Sequence, residues 1–109
     1  MFGNKMNAVE KAIGKGNVNS LITLAGNGDH AVSLAAIEGL GAVGGLEASN
    51  YLVTRLTGAE ADSRIAVAKA LGRIADVHTK AFLSAQMIKE TDPAVKEAMR
   101  EAMVNIKEY

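Results

Sequence analysis

The chain has 109 residues, of which 49% are hydrophobic, and its 12 basic residues balance 12 acidic ones, so the formal net charge at pH 7 is zero. This length predicts a single domain with an ample apolar core, and the balanced charge argues against a nucleic acid or an anionic membrane surface as the partner. The chain contains no cysteine, which excludes disulfide bonds, thiolate catalysis and cysteine-ligated zinc and agrees with a cytoplasmic location.

The first 16 residues are predicted to form a helix that caps the domain. Met6, Val9 and Ile13 recur at helical spacing and form an apolar stripe, and Gly14 and Gly16 end the helix. Charged residues lie between them, so the segment does not resemble a secretory signal peptide. No apolar stretch of the chain approaches the roughly 20 residues that span a membrane, and no membrane partner is expected.

A segment rich in leucine, glycine and alanine occurs in three copies in the remainder of the chain. If Leu40, Leu71 and Met103 are equivalent, successive copies lie 31 and 32 residues apart. A repeat of this length is a pair of helices that cannot bury its apolar face alone, so consecutive pairs must stack. The prediction is one all-α domain of about seven antiparallel helices. Its segments are the capping helix 1–16 and the hairpins 17–44, 45–75 and 76–109.

The second helix of each pair is predicted from its start and stop signals. Asp29, Asp62 and Asp92 are suited to cap helix N-termini, and Pro93 fits the first helical position. Gly44 supplies a stop for the first of these helices. The predicted ranges are 29–43, 62–75 and 93–107.

The first helix of each pair carries its own apolar stripe. Gly26 and Gly58 are predicted to end the first two of these helices, which leaves only short connections to the second helices. Such connections force the two helices of a pair to run antiparallel. The stripes are centred on 21–25, 51–56 and 82–88.

The second helices also have an apolar pole opposite the side predicted to face the core. In the first copy this pole carries Leu34, Ile37 and Gly41. An apolar helix pole in a soluble protein is covered, and two alternatives are open. Either the next repeat packs on it, helped by the small residues, or it forms a shallow concave groove for an amphipathic helix, a strand or a second copy of the chain. The corresponding residues are Ile65, Ala68 and Gly72, then Glu97, Arg100 and Val104, which predict a solvated end.

Basic residues flank this pole in the second and third repeats and predict a basic rim. Arg64, Lys69 and Arg73 come from the second repeat, and a rim of this kind binds acidic tails or phosphates. Acidic side chains are interleaved with the rim, so ordinary solvation of the helices accounts for it as well, and a nucleic acid is not favoured. The remaining members of the rim are Lys96 and Arg100.

The two histidines are predicted to have no catalytic or metal-binding role. His30 begins one predicted helix and His78 follows another, which places them on the order of 20 Å apart in an antiparallel stack. Neither has a carboxylate four residues later, which a ligand pair or a general base would use. The hydroxyl residues form no nucleophile motif either. We therefore expect no enzyme activity, no metal and no cofactor.

The strings AIEGLGAVGG at 36–45 and AKALGRIAD at 68–76 resemble the HEAT-like repeats of the phycobilisome-lyase type. The third copy keeps DPAV at 92–95 but has Met103 and Val104 where the family has Leu and Gly. The resemblance implies a right-handed α-α superhelix, a HEAT-like α-solenoid whose second helices line the concave side. It also implies protein binding as the commonest function, while a minority of members act on bilins or recognise DNA lesions.

The resulting expectation is a non-catalytic, cytoplasmic scaffold that binds a protein or peptide, or a second copy of itself, on its concave face. The alternatives are an accessory subunit of a bilin or tetrapyrrole lyase, which rests on the resemblance alone, and a module that binds nucleic acid. The predicted binding residues are Leu34, Ile37, Arg64, Ile65, Lys69 and Arg73.

Overall fold

The computed structural model describes residues 2–108, and every regular element in that range is helical. A short 3-10 helix, Val77–Thr79, precedes the sixth α-helix. The predicted all-helical repeat fold is confirmed. The seven α-helices are α1 Phe2–Lys15, α2 Val18–Ala25, α3 His30–Val43, α4 Leu46–Thr54, α5 Ala61–Ile74, α6 Lys80–Lys89 and α7 Pro93–Asn105.

The helices form two layers. The longer helices pack in the order α1, α3, α5, α7, which we call the long-helix layer. The shorter helices α2, α4 and α6 form the short-helix layer, and each packs against the long helix that follows it in the chain. The Cα atoms accordingly fill a slab of 39 × 30 × 17 Å.

The core is a single cluster of buried side chains that runs between the two layers. Leu40 and Leu71 are fully buried in the last turns of α3 and α5, as their equivalence predicted, and Met103 is partly buried at the corresponding place in α7. Leucines at equivalent positions of the short helices complete the core, namely Leu21, Leu52 and Leu83.

Two of the three predicted helix caps are confirmed. The carboxylate of Asp29 accepts a hydrogen bond from the amide of Val32 at 3.2 Å, and that of Asp92 accepts one from the amide of Ala94 at 2.8 Å. The predicted cap at Asp62 is wrong, because α5 already begins at Ala61. The side chain of Asp62 is directed instead to a residue of the neighbouring repeat.

Three helix ends also differ from the prediction. Helix α4 ends at Thr54, before Gly58, and a turn that begins at Arg55 follows it. Helix α5 ends at Ile74, where the next residue takes a left-handed conformation. Helix α7 ends at Asn105 because the following residue, Ile106, leaves the helix and is buried in the core.

Candidate functional site

The predicted apolar pole of α3 lies against α5. A Cβ atom added to Gly41 would lie 2.9 Å from the Cβ atom of Ala70, so the two helix backbones are in close contact. Ile37 belongs to the same stripe and has 0% of its surface exposed. Leu34 is half-buried.

The same arrangement recurs between α5 and α7. A Cβ atom on Gly72 would lie 2.8 Å from the Cα atom of Ala102, and Ala68 is fully buried beside it. Ile65 is half-buried, like Leu34 in the preceding repeat. On α7 the equivalent stripe faces away from the described helices, so Val104 is 69% exposed.

These contacts decide between the two alternatives for the apolar pole. The pole is the surface on which the next repeat packs, so Ile37 is unavailable to a partner unless the repeats separate. Leu34 and Ile65 keep part of their surface, and their role in binding stays a prediction. The small residues Gly41 and Gly72 are required because only a residue without a side chain admits a helix backbone this closely.

The predicted basic rim is also smaller in the structure. The guanidinium of Arg64 donates two hydrogen bonds to the carboxylate of Glu90, at 2.9 and 3.2 Å, and one to the carbonyl of Gly58 at 2.8 Å. Arg100 forms an ion pair with Glu97. Lys69 and Arg73 are exposed, and within residues 2–108 neither has a carboxylate within 4.0 Å.

Lys69 and Arg73 lie on the outer surface of the long-helix layer, which we call the long-helix face. Its floor consists of alanines at equivalent positions, namely Ala35, Ala66 and Ala98. Beside this floor runs a row of charged residues, one from each repeat. The row is Glu38, Lys69 and Glu101, whose positions differ by 31 and 32 residues.

Three shallow cavities occupy the grooves between successive helices of this face. Their volumes are about 300 Å³ between α1 and α3, about 240 Å³ between α3 and α5, and about 310 Å³ between α5 and α7. Arg73 lines all three, and Glu38 lines the first two. Alanine and glycine provide much of the remaining lining, so the grooves have room for larger side chains of a partner.

Sequence reasoning treated Glu38 and Glu101 as ordinary solvated charges and missed this row. The signal that could have found it is the repeat itself, because residues one repeat apart occupy equivalent places on adjacent helices. Glu10 on α1 lines the first cavity together with Glu38, and it too was treated as an ordinary solvated charge. The charges along the face are therefore acidic on α1 and α3, basic on α5 and acidic on α7.

Two further cavities lie away from the long-helix face. One of about 490 Å³ lies between α1 and α2 and includes Lys11 and Lys15 in its lining. The other, about 290 Å³, lies where the turns before α3 and α5 meet, and Arg55 lines it. The guanidinium of Arg55 is held by the carbonyl of Ala25 at 3.0 Å and by the hydroxyl of Tyr51 at 2.6 Å.

The two histidines contact different residues, and each has a polar partner that sequence spacing did not indicate. Nε2 of His30 lies 2.7 Å from Oδ2 of Asp62, which joins the first turns of α3 and α5. Nδ1 of His78 lies 2.6 Å from Oδ1 of Asp76, and its Nε2 lies 3.1 Å from Oδ1 of Asn50. Within the described part of the chain, no three His, Asp or Glu residues are placed to hold a metal ion.

The His30–Asp62 pair leads to a prediction about pKa. The hydrogen bond to Asp62 raises the pKa of His30 above 6.5, and that to His30 lowers the pKa of Asp62 below 3.8. A raised histidine pKa stabilises the fold below the unfolded pKa, and this contribution disappears as pH rises through the folded pKa. At acidic pH the stabilising contribution of the pair disappears again, as pH falls through the lowered pKa of Asp62.

An NMR titration of the His30 ring checks this prediction. We expect Asp62→Asn to return the pKa of His30 towards 6.5, and Asp76→Asn, which removes the carboxylate partner of the other histidine, to leave the pKa of His30 unchanged. A His30 pKa that is the same in wild type and Asp62→Asn would contradict the pairing.

Comparison with known proteins places the repeats in a family. The family model of HEAT repeats matches residues 18–104, from the start of α2 to the last turn of α7. A comparison with curated proteins gives no match. Among the helices of residues 2–108, none has the length and apolar character needed to cross a membrane. With the stacked hairpins described above, this match shows that the chain belongs to the HEAT-repeat family.

Proposed function

We propose that the chain is a non-catalytic scaffold that binds a protein or peptide partner on its long-helix face. HEAT repeats are commonly protein-interaction scaffolds, which supports the general class of function. The observation that carries the proposal is the exposed pair Lys69 and Arg73, which lies between open grooves and has no carboxylate partner within the described residues. A cytoplasmic location remains part of the proposal.

The chemistry of this face supports binding better than catalysis. Its three cavities are lined by alanine, glycine, aliphatic, acidic, basic and amide residues, and no Ser, Thr, Cys or His appears among the described lining residues. Covalent catalysis generally needs a nucleophile within hydrogen-bond reach of a base, and the remaining nucleophile of this kind, Lys69, has no carboxylate within 4.0 Å in the described residues. The mixture of acidic and basic side chains also favours a protein partner over a polyanion.

Of the predicted binding residues, we retain Lys69 and Arg73 as central contacts and Leu34 and Ile65 as flanking ones. Arg64 is assigned to the structure of the repeats instead, because its guanidinium already binds a carboxylate and a carbonyl.

A retention experiment with matched charge reversals tests this proposal. Wild type, Arg73→Glu and Lys89→Glu are immobilised and exposed to the same native lysate, and retained proteins are compared by mass spectrometry. Both residues are exposed and both substitutions change the charge equally, but Lys89 lies at the end of α6, outside the long-helix layer. We expect wild type and Lys89→Glu to retain a common protein that Arg73→Glu loses. Equal retention by all three, or none by wild type, would contradict the proposal.

A further inference from the structure

We infer that the occupant of the long-helix face is an amphipathic α-helix of a partner protein that lies across α3, α5 and α7. Its contact stripe presents a basic, an acidic and a basic side chain, in that order. The inference rests on the proposed function and specifies the chemistry of the partner. The complementary surface is the row Glu38, Lys69 and Glu101 together with Arg73, which lies beside Lys69.

The charges of this row are left for a partner to neutralise. Lys69 and Arg73 line both grooves beside α5, with Glu38 across one groove and Glu101 across the other. Nevertheless, no nitrogen of this basic pair comes within 4.0 Å of a carboxylate oxygen in the described structure. By contrast, His30 is paired with Asp62, and Arg100 is paired with Glu97.

The alanine floor favours a helix over an extended strand as the occupant. A strand has no internal hydrogen bonds, so its N–H and C=O groups would lose water over Ala35 and Ala66, whose side chains cannot form hydrogen bonds. Burial of unpaired backbone groups is costly, whereas a helix satisfies these groups internally. Small side chains also let a helix approach closely, and the cavities beside the floor can take its larger side chains.

The spacing of the row agrees with the geometry of a helix. Packed helices lie about 8–10 Å apart, and the Gly41–Ala70 and Gly72–Ala102 contacts place this layer at the close end of that range. Residues seven apart on an α-helix lie on the same face and about 10.5 Å apart along its axis. Because this 10.5 Å step exceeds the close interhelix spacing of about 8 Å, the partner helix crosses the layer obliquely, and a Lys or Arg, an acidic residue and another Lys or Arg at seven-residue intervals then reach α3, α5 and α7 in turn.

A display library of helical peptides tests this inference. Three contact positions, seven residues apart, are each Lys, Glu or Ala, while the rest of the peptide is constant. We expect wild type to enrich Lys–Glu–Lys at least tenfold over Glu–Lys–Glu, because each of the three exposed ion pairs strengthens binding about two- to fivefold and their effects multiply. The variant Lys69→Glu/Arg73→Glu should select Lys at the central position instead. The control Lys11→Glu/Lys15→Glu changes the charge equally on α1, outside this row, and should select as wild type does.

Three results would overturn the inference: no enrichment by wild type, enrichment of Glu–Lys–Glu, or an unchanged central preference in Lys69→Glu/Arg73→Glu. Circular dichroism checks that each variant keeps the fold, as we expect because all four substituted side chains are exposed. If the lysate partner depends on Arg73 while the library shows no charge pattern, only the helix inference fails. If no lysate protein depends on Arg73, the proposed function itself fails.

Discussion

Replacement of Gly72 by alanine should lower the free energy of unfolding by about 2 kcal/mol, although alanine favours helices more than glycine does. The added Cβ atom would lie 2.8 Å from the Cα atom of Ala102, closer than two carbon atoms can approach. Because Cα is a backbone atom, no side-chain rotation relieves the contact, and α7 must move away from α5. The overpacking therefore outweighs the gain of about 1 kcal/mol in helix propensity.

Gly14 provides a matched control for this substitution. It also lies within a helix, but an added Cβ atom would meet nothing within 4 Å. Gly14→Ala should therefore raise the free energy of unfolding by about 0.5–1 kcal/mol, through helix propensity and the reduced entropy of the unfolded chain. Urea denaturation of both variants measures the two effects. If Gly72→Ala is as stable as Gly14→Ala, the repeats do not pack as closely as described.

The repeat architecture could be predicted because it is encoded at fixed intervals. Leu40 and Leu71 recur one repeat apart, and both are fully buried at equivalent places. The small residues beside them were also correctly associated with close packing. A single copy of the repeat could not show what the apolar pole faces, because a stripe that faces the next repeat and one that faces a partner have the same residues. The solvated equivalent in α7, where Val104 replaces glycine, is the signal that separates them.

Features that depend on contacts between particular side chains were less predictable. Asp62 is of a residue type that often caps helices, but His30 of the adjacent repeat lies close enough to bind its carboxylate instead. Arg64 and Glu90 lie 26 residues apart, at positions that follow no shared periodicity. Of the predicted binding residues, Lys69 and Arg73 lie on the exposed face, where their role in binding stays a prediction, whereas Ile37 and Arg64 contribute to the packing and hydrogen bonding of the fold.

The Arg64–Glu90 pair leads to the other large stability effect. Glu90 keeps only 3% of its side chain exposed and Arg64 17%, and the pair connects α5 to the turn between α6 and α7. Glu90 also accepts a hydrogen bond from the amide of Asp92, the residue that caps α7. Glu90→Ala should lower the free energy of unfolding by about 2–3 kcal/mol, less than the loss at a fully buried pair because Arg64 stays partly solvated.

The exposed pair Glu97–Arg100 is the control for this prediction. Its side chains are 56% and 57% exposed, so Glu97→Ala should change the free energy of unfolding by no more than about 0.5 kcal/mol. The double variant Arg64→Ala/Glu90→Ala should lose less than the sum of the single variants, since no uncompensated charge remains. Additive losses would mean that the two side chains do not interact.

The same pair should make the stability of the fold depend on pH. Burial raises the pKa of Glu90, but hydrogen bonds from Arg64 and from the amide of Asp92 outweigh burial and hold the pKa below 4.5. A carboxyl with a lowered pKa stabilises the fold above its unfolded pKa, and the contribution disappears as pH falls through the folded pKa. The stability advantage of wild type over Glu90→Gln should therefore be constant near neutral pH and shrink below 4.5. Urea denaturation of both proteins, from neutral pH to below 4.5, measures this difference in the free energy of unfolding. A stability advantage of wild type that grows on acidification would contradict the assigned ion pair.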